Sequence, residues 1–137
     1  MLKAIFCLIF LCLSNLVFAA GNVPVYTDAK PTAMITSAQP TFIIKLKANP
    51  TTGYSWFLRG YDSNLLTPVK HVFEAPKNTK KLVGAPGYEL WTFHVKPAGF
   101  TVPRQTMIRF VYARPWESNN TSTTVVFTLM TSQSSKS

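Results

Sequence analysis

Beyond about residue 20 the chain alternates apolar and polar residues with period two, the pattern of strands that bury one face and expose the other. In Phe42-Ile43-Ile44-Lys45-Leu46-Lys47, residues Phe42, Ile44 and Leu46 share a face, while Lys45 and Lys47 point to solvent. Trp56 and Leu58 align in Tyr54–Arg59, and Trp91, Phe93 and Val95 align in Tyr88–Val95. Ile108, Phe110 and Tyr112 stand opposite Arg109, and Val125, Phe127 and Leu129 line a last strand over Thr124–Met130. Val69–Phe73 reads as a shorter strand, and Val23–Thr27 and Met34–Thr36 as edge pieces. No helical period of useful length interrupts the series. Prolines, among them Pro40, Pro50, Pro68, Pro76, Pro86, Pro97, Pro103 and Pro115, fall at most of the breaks. The pattern predicts an all-β antiparallel sandwich of seven to eight strands. Trp56, Phe42, Phe93 and Phe127 are candidates to fill the space between its sheets. The serine-rich end, Thr131–Ser137, has little to bury and is expected to fray.

The first residues follow a different rule. Lys3 precedes an apolar run, Ala4–Leu13, which breaks at Ser14-Asn15 and ends in Phe18-Ala19-Ala20. A charged start, a short apolar stretch and small residues at its end predict a secretory signal peptide over residues 1–19, cut after Ala19. The run is shorter than the ~20 apolar residues that a spanning helix needs. Cleavage leaves 118 of the 137 residues, enough for one domain. Both cysteines, Cys7 and Cys12, depart with the leader, so the mature chain has no disulfide and no thiolate chemistry. The expected location is therefore the periplasm or the extracellular medium, with no membrane contact after cleavage.

Charge and acid–base content narrow the function further. The formal charge of +9 becomes +8 once Lys3 is lost. Its lysines and arginines are scattered, with one cluster at Lys77-Asn78-Thr79-Lys80-Lys81. Scatter and export together argue against nucleic acid and leave an acidic protein as the favoured partner. Two histidines, His71 and His94, and five widely spaced acids, Asp28, Asp62, Glu74, Glu89 and Glu117, are all the candidate acid–base catalysts available. None has metal-ligand spacing, and no nucleophile–base pair stands out. The chain is read as a non-enzyme with no cofactor and no metal, and both histidines as structural.

Three loops carry more than connection requires. Asn49-Pro50-Thr51-Thr52-Gly53-Tyr54 joins two strands as a hairpin tip, with Gly53 free to reverse the chain. Val83-Gly84-Ala85-Pro86-Gly87-Tyr88 offers backbone for close contact with a partner. Ala113-Arg114-Pro115-Trp116-Glu117 sets a tryptophan just after a proline, either as a binding hot spot or folded back over a sandwich edge.

Asn49-Pro50-Thr51-Thr52-Gly53-Tyr54 with Trp56 two residues on, then Gly84-Ala85-Pro86-Gly87-Tyr88 with Trp91, then Arg114-Pro115-Trp116-Glu117 occur in that order. This arrangement resembles the chagasin family of inhibitors of papain-like cysteine peptidases, over roughly Pro40–Met130. The resemblance implies an immunoglobulin-like sandwich, monomeric, whose three loops form a wedge at one end. By that resemblance Thr51, Thr52 and Gly53 approach the catalytic cysteine of the peptidase, with Asn49, Pro50 and Tyr54 framing them. Gly84 and Ala85–Tyr88 line one side of the cleft, and Arg114, Pro115 and Trp116 the other. The implied mechanism is reversible, non-covalent occlusion. Two other readings remain open on the residues alone. One is an exported module that binds carbohydrate or a surface receptor by stacking on Trp116 and Tyr88. The other is a periplasmic chaperone or structural subunit that offers an edge strand.

Overall fold

The computed structural model describes residues 21–77, 84–118 and 122–135. The expected leader, with Cys7 and Cys12, and most of the lysine cluster lie outside the described residues. Eight strands are formed: β1 (Val25–Thr27), β2 (Thr32–Thr36), β3 (Thr41–Ala48), β4 (Ser55–Gly60), β5 (Leu66–Glu74), β6 (Gly87–Val95), β7 (Arg104–Ala113) and β8 (Thr123–Ser132). They make two four-stranded sheets, in the orders β1-β3-β6-β5 and β2-β8-β7-β4. This is the all-β sandwich that the alternation predicted.

The registers put the apolar positions of neighbouring strands on the same inner face. Phe42 pairs with Phe93 and Ile44 with Trp91 in the first sheet; Leu58 pairs with Phe110 and Ile108 with Phe127 in the second. Phe42, Phe93, Phe110 and Phe127 are fully buried. Their rings are continuous across the core, with centroids 5.6 Å apart for Phe42–Phe93, 6.2 Å for Phe93–Phe110 and 6.1 Å for Phe110–Phe127. Burying a Phe side chain stabilises a fold by about 1.5–3 kcal/mol, so this ring chain is a principal source of stability.

Several details depart from the expectation. β1 and β2 pair in parallel with β3 and β8, whereas the other pairings are antiparallel. A parallel neighbour needs a crossover. β2 supplies it for β1 and β3, because it lies in the other sheet. Pro68, expected at a break, sits inside β5. That is tolerable because β5 is an edge strand with a ladder on one side only, and the register shifts between Pro68 and Lys70. β8 runs through Ser132, into the segment expected to fray. Thr131 is buried there; its hydroxyl donates to the Gly99 carbonyl and accepts the Arg104 N–H. Two hydrogen bonds in the interior hold what composition alone marked as tail.

Both histidines have structural partners. His94 shares a 3.0 Å hydrogen bond with the Thr41 hydroxyl. His71 lies flat on Trp91, ring centroids 3.8 Å apart, and hydrogen-bonds Glu89 at 2.8 Å.

Candidate functional site: a three-loop ridge

All three singled-out loops meet at one end of the sandwich, where β3 and β7 end and β4 and β6 begin. Asn49–Tyr54 is not the hairpin tip that its sequence suggested, because β3 and β4 belong to different sheets. It crosses the sandwich end instead. Trp56 has to face the core from the sheet opposite β3, and a tight hairpin would have kept it in the same one. The crossing is a single 3-10 turn over Pro50–Thr52, closed by Gly53 at φ 79°. Pro50 pre-sets the first position of that turn, and glycine alone takes the left-handed last position without cost.

Asn49 organises the turn. Its carbonyl accepts the Thr52 N–H at 3.2 Å and the Thr52 hydroxyl at 2.7 Å, while its side-chain oxygen accepts the Thr51 hydroxyl at 2.6 Å. Its amide Nδ2 donates to the Gly84 carbonyl at 3.1 Å, tying the first loop to the second. Its own N–H donates to the Tyr112 hydroxyl at 3.0 Å, tying the loop to β7. Few residue types could replace it, since the side chain must accept and donate at once.

The third loop closes on the opposite flank. Arg114 Nε donates to the Thr52 carbonyl at 2.8 Å, and its Nη1 donates to Glu117 Oε1 at 2.7 Å. Tyr54 donates its hydroxyl to the same carboxylate at 3.4 Å, and the guanidinium lies 4.5 Å above the Tyr54 ring. The hydrogen bond to Glu117 raises the Arg114 pKa; loss of solvent opposes it, and the charges of Glu117 and Tyr54 add to the rise. Arg114 is thus a fixed cation at any working pH. Tyr54 stacks on Tyr112, and Tyr112 leans on Trp56, with centroids 5.2 and 4.8 Å apart. Trp56 Nε1 donates to the Lys47 carbonyl at 2.9 Å, so the loop stands on an aromatic column rooted in the core.

Trp116 resolves the choice left by the sequence. It is 71% exposed, yet its ring edge crosses over Gly53: a β-carbon there would come 2.7 Å from Cη2. The tryptophan stands largely in solvent beside Gly53 and is not buried against the sandwich. The ridge therefore has Thr51, Thr52 and Gly53 in the middle, Gly84 beside Thr51, and Arg114 and Trp116 beside Thr52 and Gly53.

Not every expected site residue is at the crest. Gly87 and Tyr88 are the first residues of β6, paired with Ala48 and Lys47. Gly87 is buried, and a β-carbon on it would run into the Glu74 carbonyl and the Phe73 ring. Its glycine serves the neighbouring strand and not a partner. Tyr88 turns outward beneath the Lys45 ammonium, 4.2 Å from its ring centroid. Gly84, Ala85 and Pro86 form the part of this loop next to Asn49 and Thr51. Tyr112, Glu117 and Glu89 were not among the expected site residues, although each hydrogen-bonds a loop or its stem.

Across the matched region, the sequence profile of the chagasin family peptidase inhibitors I42 fits residues 36–130, a span that includes all three loops. The chain belongs to the chagasin family of peptidase inhibitors. Among solved structures, this chagasin-family chain is similar in fold to the cysteine protease inhibitor EhICP2 from Entamoeba histolytica. The two share 20% identity and a TM-score of 0.63, over 80% of this chain and 95% of that one. It is also similar to amebosin, at 25% identity and a TM-score of 0.57, over 83% of this chain and 100% of that one. None of the curated protein sequences compared with it is a match.

Two glycines of this chagasin-family chain, one beneath the ridge and one on it, give opposite expectations. Gly87→Ala should lower stability by about 1–3 kcal/mol, the usual cost of overpacking, which denaturant titration would register. Gly53→Val should instead act on the ridge, because valine opposes the positive φ and collides with Trp116. We expect roughly tenfold weaker peptidase inhibition with a melting temperature lowered by only a few degrees, since the turn buries no residue. An unchanged inhibition constant for Gly53→Val would remove Gly53 from the working surface.

Proposed function

We propose that the protein is a reversible, non-covalent inhibitor of papain-like cysteine peptidases that acts by filling the active-site cleft with its three-loop ridge. The observation that carries this reading is the hydrogen-bonded union of Asn49–Tyr54 with Gly84 on one side and Arg114 on the other, crowned by an exposed Trp116. Such a ridge is pre-organised, so docking costs little ordering entropy. Its middle is small and holds no carboxylate, because Glu117, the acid of the third loop, is held by Arg114 and Tyr54. A cysteine thiolate paired with an imidazolium is left electrostatically undisturbed beside Thr51, Thr52 and Gly53. The left-handed turn at Gly53 keeps any peptide carbonyl of the loop from the extended geometry of a substrate. Occlusion without cleavage follows. Membership of a peptidase-inhibitor family supports the same reading, and the likeness in fold to the cysteine protease inhibitor EhICP2 agrees with it.

Residues 1–19 are proposed to direct export, with cleavage after Ala19, which would place the inhibitor where it meets secreted or host peptidases. N-terminal sequencing of the exported protein tests that point. For the inhibitory activity, papain is titrated with the purified protein in the presence of a fluorogenic substrate. Competitive inhibition saturating at one inhibitor per enzyme, with intact inhibitor recovered afterwards, is expected. A flat titration against papain and several cathepsins would overturn the proposal. The carbohydrate-binding alternative would then show as sugar-dependent quenching of Trp116 fluorescence.

A further inference from the structure

Glu89 is an acid on the inner face of a hydrophobic sandwich. It follows the alternation of β6, sharing its side with Trp91 and Phe93, and it is buried. An unpaired buried carboxylate is costly, so such a group persists only when its partners compensate it. Here both oxygens are engaged. Oε1 accepts the backbone N–H of Trp56 at 3.1 Å, and Oε2 accepts from His71 Nε2 at 2.8 Å. His71 is fixed in turn by its stack on Trp91, 3.8 Å between centroids and 14° between planes.

The bond to Trp56 joins the two sheets. Glu89 and His71 stand on β6 and β5 of the first sheet, while Trp56 stands on β4, the edge strand of the second. Trp56 lies three residues after Gly53, and Glu89 three residues after Pro86. The carboxylate therefore clasps the stem of the first loop to the stem of the second. The Trp56 N–H points out of its own sheet, where β4 has no neighbouring strand, and the carboxylate supplies the acceptor that a sheet partner would have supplied.

We propose that Glu89 is a positioning residue for the inhibitory ridge: by gripping the Trp56 N–H while His71 holds its other oxygen, it fixes the spacing between the first and second loops. The proposal rests on the reading that the ridge enters a peptidase cleft. Neither Glu89 nor His71 is at the crest, so their effect on a peptidase passes through the loops.

The test compares four variants of the whole protein by papain inhibition constant, melting temperature and amide hydrogen exchange. Glu89→Leu removes both acceptors and should weaken inhibition about tenfold or more, the loss expected when a docking surface must be re-ordered on binding. Glu89→Gln keeps a carbonyl oxygen for the Trp56 N–H and should inhibit within about twofold of the wild type. His71→Phe keeps a ring on Trp91 but drops the bond to Glu89, and should weaken inhibition about threefold. It sits at a half-exposed position, so it tests the proposal even where Glu89→Leu fails to fold. Leu66→Ala, buried at the far end of β5, is the control: it should lower the melting temperature and leave the inhibition constant unchanged. Faster exchange across Thr52–Trp56 in Glu89→Leu and His71→Phe, but not in Leu66→Ala, completes the expected result. The proposal is overturned if folded Glu89→Leu or His71→Phe inhibits like the wild type, or if Leu66→Ala loses inhibition in proportion to its stability. Should the wild type itself fail to inhibit, the functional reading falls. Hydrogen exchange then still decides whether Glu89 holds the loop.

Discussion

Replacing Trp116 with alanine is expected to weaken inhibition of papain by about thirtyfold, which corresponds to roughly 2 kcal/mol, without lowering the melting temperature. The asymmetry follows from where the side chain sits. At 71% exposure the indole gives the fold little burial to lose. In a cleft it would be the largest apolar surface on the ridge, and tryptophan at the centre of an interface is the commonest hot-spot residue. The lie of its ring edge over Gly53 holds it at the crest. Paired inhibition constants and melting curves for Trp116→Ala check the expectation. A strongly lowered melting temperature with an unchanged inhibition constant would place Trp116 in the core and dissolve the ridge.

Trp56→Ala should do the reverse. Trp56 is buried, packs at a tilt against Tyr112 and donates its indole N–H to the Lys47 carbonyl. Truncating a buried tryptophan costs about 3–5 kcal/mol from the lost burial and the cavity left behind. In a domain of this size that is a fall in melting temperature of roughly 10–20 °C. The stranded Lys47 carbonyl adds to the loss. Calorimetric melting of the variant supplies the measurement. Inhibition should fail only to the extent that the folded fraction falls, apart from disorder in the column of Tyr54 and Tyr112 above the cavity. A melting temperature within a few degrees of the wild type would mean that the aromatic column does not support the loop.

Much of this architecture was legible in the chain because strand burial has period two. Phe42, Ile44 and Leu46, or Ile108, Phe110 and Tyr112, declare their inner face by parity alone, and the two sheets take them up in that phase. Parity says nothing of which strands pair, so the parallel additions of β1 and β2 were invisible. Pro68 misled for a related reason: a proline breaks a central strand, but β5 is at an edge. Thr131 looked like tail because its burial depends on Gly99 and Arg104, partners remote in sequence.

The loops were legible as motifs but not as a mechanism of assembly. Asn49, Gly53, Arg114 and Trp116 stood out by residue type and order. That Asn49 bridges to Gly84, and Arg114 to Thr52, is a property of the third dimension. Gly87 shows the opposite error. A glycine beside a proline suggested accessible backbone, whereas the missing side chain makes room for Phe73. Glu89 was available to the same parity argument that found Trp91 and Phe93. An acid on an inward position is the kind of local conflict that marks a role beyond packing.

The central claim is that the ridge covers a catalytic cysteine without reacting with it. The most direct measurement is the rate at which iodoacetamide alkylates that cysteine in papain, with and without saturating inhibitor. The thiol should be protected in proportion to the inhibitor bound, up to one per enzyme, and should regain full reactivity when the complex dissociates. Protection should need about thirtyfold more of the Trp116→Ala variant. Alkylation at the rate of the free enzyme, under conditions where the inhibitor is bound, would contradict the account.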